Sequence, residues 1–220
     1  MTYSEMLHLV DHTLLKACAS WEEICRLCDE AVEYQTASVC VPPCYIKRIR
    51  ETYPDLTICT VVGFPLGYSV TEAKVCEVRE ALADGADEID MVINLTDVKN
   101  GEFQKVEDEI RTLKKAAGDR VLKVIIETCY LTGEEKIAMC HAVTNAGADF
   151  IKTSTGFGTA GALLSDIEPV KSNIGENVRI KAAGGVRTLE DLKTSVEAGC
   201  IRSGATEVVK QVDKLAKNRA

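Results

Sequence analysis

Apolar residues fall in short bunches along this chain, and the bunches alternate with longer stretches of helical periodicity. Runs at 9–14, 37–41, 57–62, 88–93, 121–126, 149–152, 178–182 and 200–203 are too short for helices, and several read as continuously apolar. Strands of that kind are buried on both faces, as in a parallel sheet. The intervening segments carry helix punctuation. Ser20 precedes 21–34 with Glu23 three residues on, the signature of a capping box. Thr71, Thr132 and Thr188 precede 72–84, 133–146 and 189–198, which stop at Gly85, Gly147 and Gly199. An alanine–glycine phrase links helix to strand at 83–86, 146–148 and 198–200. Eight strands, each followed by a helix, predict an α/β fold: a single (β/α)8 TIM barrel, read as one domain over 1–220. A doubly wound open sheet is the other solution for this alternation, but no GxGxxG follows the first strand.

Composition narrows the partners. A net charge of −8 argues against nucleic acid or an anionic membrane, both of which need a basic face. An anionic substrate must then be held by local backbone amides and a few cations. The first ten residues, MTYSEMLHLV, have neither a basic start nor a long apolar stretch, and no run approaches the ~20 residues of a membrane span. The ten cysteines are therefore expected as reduced thiols in a cytoplasmic protein. Cys25 and Cys28 form a CxxC, but they sit in the helical pattern SWEEICRLCDEAVEY with no second CxxC or histidine pair. Packed helical cysteines fit that setting better than zinc or redox chemistry, and Cys129 and Cys140 have similarly ordinary readings. No metal and no cofactor is expected.

A barrel gathers the polar residues of its C-terminal strand ends at one mouth, where barrel active sites lie. Asp11, Cys40, Asp90, Asn94, Glu127, Lys152 and Lys181 are at or near such ends, and Asp90 and Lys152 stand within apolar strands. Lys152 closes Ala148-Asp149-Phe150-Ile151; Lys181 closes Val178-Arg179-Ile180. Burying an ammonium group without a partner is costly, and the plain explanation is an ion pair at a strand end. Two such lysines on neighbouring strands, about 4.8 Å apart, each before a glycine-rich turn, favour chemistry instead. Desolvation and like-charge repulsion would free one amine to attack a carbonyl, with Asp90 opposite to move protons or to neutralise a lysine. Gly184-Gly185-Val186-Arg187 and Ser203-Gly204-Ala205-Thr206 follow strands seven and eight, the usual place for a barrel's phosphate cradle. A reactive lysine beside a phosphate cradle describes an aldolase or related lyase acting on a sugar phosphate.

The chain resembles the deoxyribose-phosphate aldolase family of class I aldolases through DHTLLK at 11–16, SVCV at 38–41, VVGFPLG at 61–67 and EIDMVIN at 88–94. The resemblance continues in KVIIET at 123–128, AGADFIKTSTGFG at 146–158, IKAAGGVRT at 180–188 and IRSGAT at 201–206. It implies reversible cleavage of 2-deoxy-D-ribose 5-phosphate to D-glyceraldehyde 3-phosphate and acetaldehyde. By motif, Lys152 would be the Schiff-base nucleophile, Lys181 would depress its pKa and assist proton transfer, and Asp90 would donate and accept protons. Phosphate would fall to Gly156, Gly184, Gly185, Gly204 and Thr206, while Asp11, Thr13 and Cys40 would line the pocket. This chain departs from the family at Thr206-Glu207, where a carboxylate near the phosphate must point away along its helix. It departs again at Pro42-Pro43 and in an ending, KNRA, without the tyrosine some members carry. His8, His12 and His141 match no required role. Barrel outer faces often dimerise, so a homodimer is an open expectation, although no helix is singled out as its interface. Two other functions stay open: a Schiff-base aldolase with a different carbonyl donor, which a donor screen separates, and a barrel that binds a phosphorylated metabolite without turnover.

Overall fold

The structure, a computed structural model, describes residues 2–217. Residues 218–220, part of the ending without a tyrosine, lie outside the described residues. Eight strands run in parallel and in chain order: β1 (Asp11–Thr13), β2 (Ser38–Val41), β3 (Ile58–Val62), β4 (Glu88–Val92), β5 (Val121–Ile125), β6 (Phe150–Lys152), β7 (Arg179–Ala183) and β8 (Arg202–Gly204). The sheet returns on itself where Val10 bridges Ser203 and the Ser203 N–H donates to the Leu9 carbonyl at 2.8 Å. Every strand lies within two residues, at either end, of its expected run, and the (β/α)8 barrel is the fold.

Helices among the described residues are α1 (Tyr3–Leu7), α2 (Trp21–Tyr34), α3 (Ile46–Thr52), α4 (Thr71–Ala83), α5 (Leu95–Lys99), α6 (Phe103–Ala117), α7 (Gly133–Asn145), α8 (Leu164–Asn173), α9 (Leu189–Ala198) and α10 (Thr206–Lys217). Capping explains where several begin. Ser20, Thr132 and Thr188 each accept the N3 amide while Glu23, Glu135 or Asp191 returns a bond to the cap N–H. Thr71 does not cap. Extended backbone at Val70 starts α4 one residue early, and the Thr71 hydroxyl leans towards Glu109 at 3.5 Å. At the far end of α9, Gly199 takes φ +116°, a left-handed turn that glycine adopts without steric cost.

The strands divide the interior in two. Val39, Val41, Ile58, Ile89, Met91, Leu122, Val124, Ile151 and Ile180 join one apolar cluster with helix residues such as Ile24, Ile46, Val78, Ile110, Met139, Ile167 and Leu192. The alternate positions of β4, β5 and β7 include Glu88, Asp90, Lys123 and Lys181, all buried. Several strands expected as two-sided apolar runs therefore alternate, apolar towards the helices and charged towards the barrel axis. Branched aliphatic residues usually fill such an interior.

Candidate active site

Lys152 and Lys181 are register partners on β6 and β7. Their Nζ atoms both lie 2.7 Å from Oδ2 of Asp90, on β4. The other oxygen of Asp90 accepts from Lys123 Nζ at 2.8 Å, and Lys123 also lies 2.6 Å from Glu88. Asp11 bridges the far side, 2.5 Å from Lys181 and 2.6 Å from Arg202, and accepts the Ser38 hydroxyl at 2.7 Å. Arg202 closes the network on Glu88 at 3.3 Å. Three carboxylates (Asp11, Glu88, Asp90) thus face four cations (Lys123, Lys152, Lys181, Arg202), leaving one positive charge in excess.

Depth separates the lysines. Lys152 ends its strand and is 3% exposed, whereas Lys123 and Lys181 are fully buried. Asp11, Asp90 and Lys181 each lie two residues before the end of their strand, near the strand ends as the sequence pattern placed them but more fully buried than Lys152. Burial alone would raise the Asp90 carboxyl, but Lys123, Lys152 and Lys181 together hold it well below the usual range. Burial alone would likewise lower Lys181, yet Asp11 and Asp90 push it above the ordinary lysine value. Lys181 is accordingly a firm cation beside Lys152.

Asp11 is held low in the same way, with burial opposed by Lys181, Lys123 and Arg202. The native state therefore binds fewer protons here than the unfolded chain does. The stabilisation is complete above the ordinary value of 3.8 and is lost as pH falls beneath it. Asp11→Asn should cost about 3 kcal/mol at pH 7, because buried Lys181 and half-buried Arg202 each lose one of their two carboxylate partners. Urea midpoints from pH 7 to pH 3 should fall more steeply for the wild type than for the variant. Parallel curves would show that the carboxylate does not carry this stability.

Around the network the predicted binding residues separate into two groups. Cys40 and Cys59 are register partners on β2 and β3, both fully buried, and the Cys59 thiol donates to Asp90 at 3.1 Å. The hydrogen bond with Cys59 lowers the Cys40 thiol against the effect of burial, while burial pushes Cys59 well up. Cys40, Cys59 and Asp90 offer three metal-ligand atoms within 4.8 Å of one another. The three ammonium groups already on Asp90 make that spot hostile to a further cation. Thr13 and Thr206 are bonded to each other: the Thr206 hydroxyl accepts the Thr13 N–H and donates to the Thr13 carbonyl, both at 2.8 Å. That hydroxyl ties β1 to the start of α10. Gly204 packs close to Thr13 in the same corner.

The glycine turns converge. Gly156, Gly184 and Gly185 have φ of +86°, +71° and +87°. A Cβ on Gly184 would stand 3.1 Å from the Gly161 Cα and 3.6 Å from the Gly156 Cα, so the loops after β6 and β7 touch through their backbones. Glu207 turns away along α10 to meet Lys210 at 2.7 Å, which removes its charge from the cradle. Pro42 and Pro43 lead a single 3-10 turn, Pro43–Tyr45, beside a cleft lined by Leu15, Val61 and Phe64. Among the histidines, His12 is buried on Glu30 at 2.7 Å and His8 reaches Ser4 at 3.4 Å, while His141 is exposed. Cys28 is buried on α2 with its thiol pushed up to about 12, chiefly by burial, and all ten cysteines are free.

Lys123, Glu88 and Arg202 complete the network without having been singled out by sequence. Lys123 was legible by the same sign that marks the other two, a lysine inside the apolar run VLKVI. Glu88 and Arg202 stand at strand starts, where charge is ordinary.

A parallel barrel with paired lysines and a carboxylate beneath a glycine-lined mouth is the architecture of a (β/α)8 enzyme of carbonyl chemistry. The family comparison agrees: residues 5–210 match the DeoC/LacD family aldolase model, and the chain belongs to that family of aldolases. It is 63% identical over 210 residues to the deoxyribose-phosphate aldolase of Clostridium botulinum (strain Alaska E43 / Type E3), covering 95% of each chain. To the deoxyribose-phosphate aldolase of Clostridioides difficile (strain 630) it is 54% identical over 206 residues, covering 93% of this chain and 94% of the relative. Among solved structures, QR15, an aldolase, superposes with a TM-score of 0.91 at 34% identity, covering 98% of this chain and 99% of the other. The deoxyribose phosphate aldolase of Aeropyrum pernix gives 0.86 at 28%, covering 97% and 93%.

Proposed function

We propose that this chain cleaves 2-deoxy-D-ribose 5-phosphate reversibly to D-glyceraldehyde 3-phosphate and acetaldehyde through a Schiff base on Lys152. The observation that carries the reading is the shared oxygen: two in-register lysines meet one Asp90 oxygen in a network with one cation too many. Such a network accommodates one neutral amine without leaving a carboxylate unpaired. Lys152 touches the fewest carboxylates and stands nearest the mouth, which suits it to attack the substrate aldehyde as the neutral amine. The names carried by the relatives supply the substrate.

In this reading the amine adds to C1 and water leaves, giving an iminium. A base takes the C3 hydroxyl proton, the C2–C3 bond breaks, and its electrons pass into the iminium to form an enamine. C3 leaves as the aldehyde of D-glyceraldehyde 3-phosphate. The enamine is then protonated at C2, and water releases acetaldehyde from Lys152. Asp90, bound to both lysines, is the hub through which these protons move, with Lys181 as the neighbouring donor. The pull of three ammonium groups makes Asp90 a transit point rather than a proton store. Gly156, Gly184, Gly185 and Gly204 would receive the phosphate through backbone amides, with the N-terminus of α10 adding its dipole. The free thiols support a reducing compartment, the cytoplasm, and the reaction would serve deoxyribose phosphate catabolism.

Borohydride reduction in the presence of acetaldehyde, followed by peptide mapping, tests the covalent step. A reduced two-carbon adduct on Lys152 is expected. An adduct on another lysine would move the nucleophile, and no adduct would favour a barrel that binds without turnover.

A further inference from the structure

Glu127 follows β5 in an unusual state. Its backbone is left-handed (φ 50°, ψ 66°), which side-chain-bearing residues seldom adopt, and it is 2% exposed. Among the described residues its carboxylate is held by hydrogen bonds and not by an ion pair. Every partner comes instead from its own turn or from the loop after Lys152. The Thr155 N–H donates to both carboxylate oxygens at 3.2 Å, and the Thr155 hydroxyl donates to Oε2. Thr155 Oγ1 then accepts the Phe157 N–H at 3.0 Å. The neighbouring Thr128 N–H donates to the Thr153 carbonyl at 2.9 Å. At Gly158 a Cβ would stand 2.8 Å from Cys129 Sγ and 3.1 Å from the Glu127 carboxyl carbon, so the loop lies directly on this side chain.

A strained backbone, and a buried carboxylate held by hydrogen bonds without a cation, persist only where the surroundings over-determine them, and such features cluster at functional sites. Here the whole arrangement is spent on fixing six residues, 153–158, between the Schiff-base lysine and the glycine turns. Gly156 sits at the crest of that loop, against Gly184. A loop free to flex would present the Gly156 amide to an anion only part of the time.

We propose that Glu127 is a positioning residue, whose carboxylate clamps the loop 153–158 so that Gly156 meets the phosphate end of the substrate. The proposal rests on the functional reading above, and it assigns Glu127 no contact with the reacting atoms. It separates two properties that one loop would otherwise share: recognition of the phosphate depends on Glu127, and imine formation on Lys152 does not.

Two measurements test it on the full chain. Hydrogen exchange, read by mass spectrometry without substrate, should quicken in Glu127→Ala within 153–158 and stay unchanged in β4 and β7. Kinetically, KM for 2-deoxyribose 5-phosphate should rise roughly tenfold, the scale of one good hydrogen bond. Turnover of unphosphorylated 2-deoxyribose should hold within about twofold, because it does not use the cradle. Thr155→Val, which removes the hydroxyl but keeps shape, should reproduce part of the KM effect if Glu127→Ala folds poorly. Glu127→Gln, still an acceptor for the Thr155 N–H, should recover most of it. Equal losses on both substrates, or exchange that does not quicken in 153–158, would overturn the clamp. A wild type inactive on the phosphorylated sugar would reject the functional reading, and the exchange measurement would still decide whether Glu127 holds the loop.

Discussion

Lys152→Leu should lower kcat/KM for 2-deoxyribose 5-phosphate by more than about 10⁴-fold, since it removes the covalent route and the proton transfers that depend on it. The same change should leave the barrel folded. Lys152 contacts the network at a single Asp90 oxygen, which Lys181 also holds at 2.7 Å. Its loss brings the cluster to three cations against three carboxylates, so thermal unfolding should move by no more than a few degrees. Lys152→Arg distinguishes charge from nucleophilicity, because a guanidinium restores the cation but forms no imine under these conditions. It should be as inactive as the leucine variant. Appreciable turnover in either variant, measured against a wild type that traps acetaldehyde, would sink the nucleophile assignment.

The barrel was legible because its signals are local and repeated. Short apolar runs, a capping box at Ser20, threonines before helices at Thr132 and Thr188, and glycines at helix ends each act within a few residues. Thr71 failed as a cap because a serine or threonine before a helix is only a candidate. Whether it caps depends on backbone angles at Val70 that no sequence pattern fixes. The helices α5 and α6 fall close together between β4 and β5, and α10 begins at Thr206 within the predicted cradle. The first pair is parted by Asn100-Gly101, a turn signal at which Gly101 takes φ +73°, and the third overlaps a site motif.

Site residues were legible in proportion to their oddity. A lysine in an apolar strand stands out, which singles out Lys152 and Lys181 as candidates, and Asp90 stands out for the same reason; the fold brings the three together. What sequence could not supply is depth along the barrel axis, which depends on strand stagger. Asp11 reads as a residue near a strand end in DHTLLK, and only the fold shows how deep it sits, on Lys181 and Arg202. Thr206 reads as part of the phosphate cradle, and the fold adds a second role that sequence does not show, a hydroxyl that fastens Thr13. Glu127 was visible as a strand-end carboxylate, but its partner Thr155 is 28 residues away, and only the folded chain brings them together.

Lys123→Met should be the most destabilising single change in the network, although it alters the formal charge balance as Lys152→Leu does. The difference is local. Lys123 is fully buried and lies 2.6 Å from Glu88, 2.8 Å from Asp90 and 3.1 Å from the Cys59 sulfur, with Asp11 at 3.6 Å. Methionine fills the same space but leaves a Glu88 oxygen and Asp90 Oδ1 without that donor. Breaking a buried ion pair from one side costs about 3–5 kcal/mol, and each kcal/mol moves the midpoint of a chain this size by roughly 2–4 °C. Thermal unfolding should therefore fall by about 10 °C. Lys123 is also foremost among the charges that hold the Asp90 carboxyl down, so its loss should raise Asp90 and carry the acid limb of the rate profile to higher pH. Adding Glu88→Gln removes one of the stranded charges and should restore part of the stability without restoring the rate profile. If Lys123→Met instead melts within a couple of degrees of the wild type, the charged interior is held by Asp11, Lys181 and Arg202 alone. Lys123 would then be a spectator beneath the site.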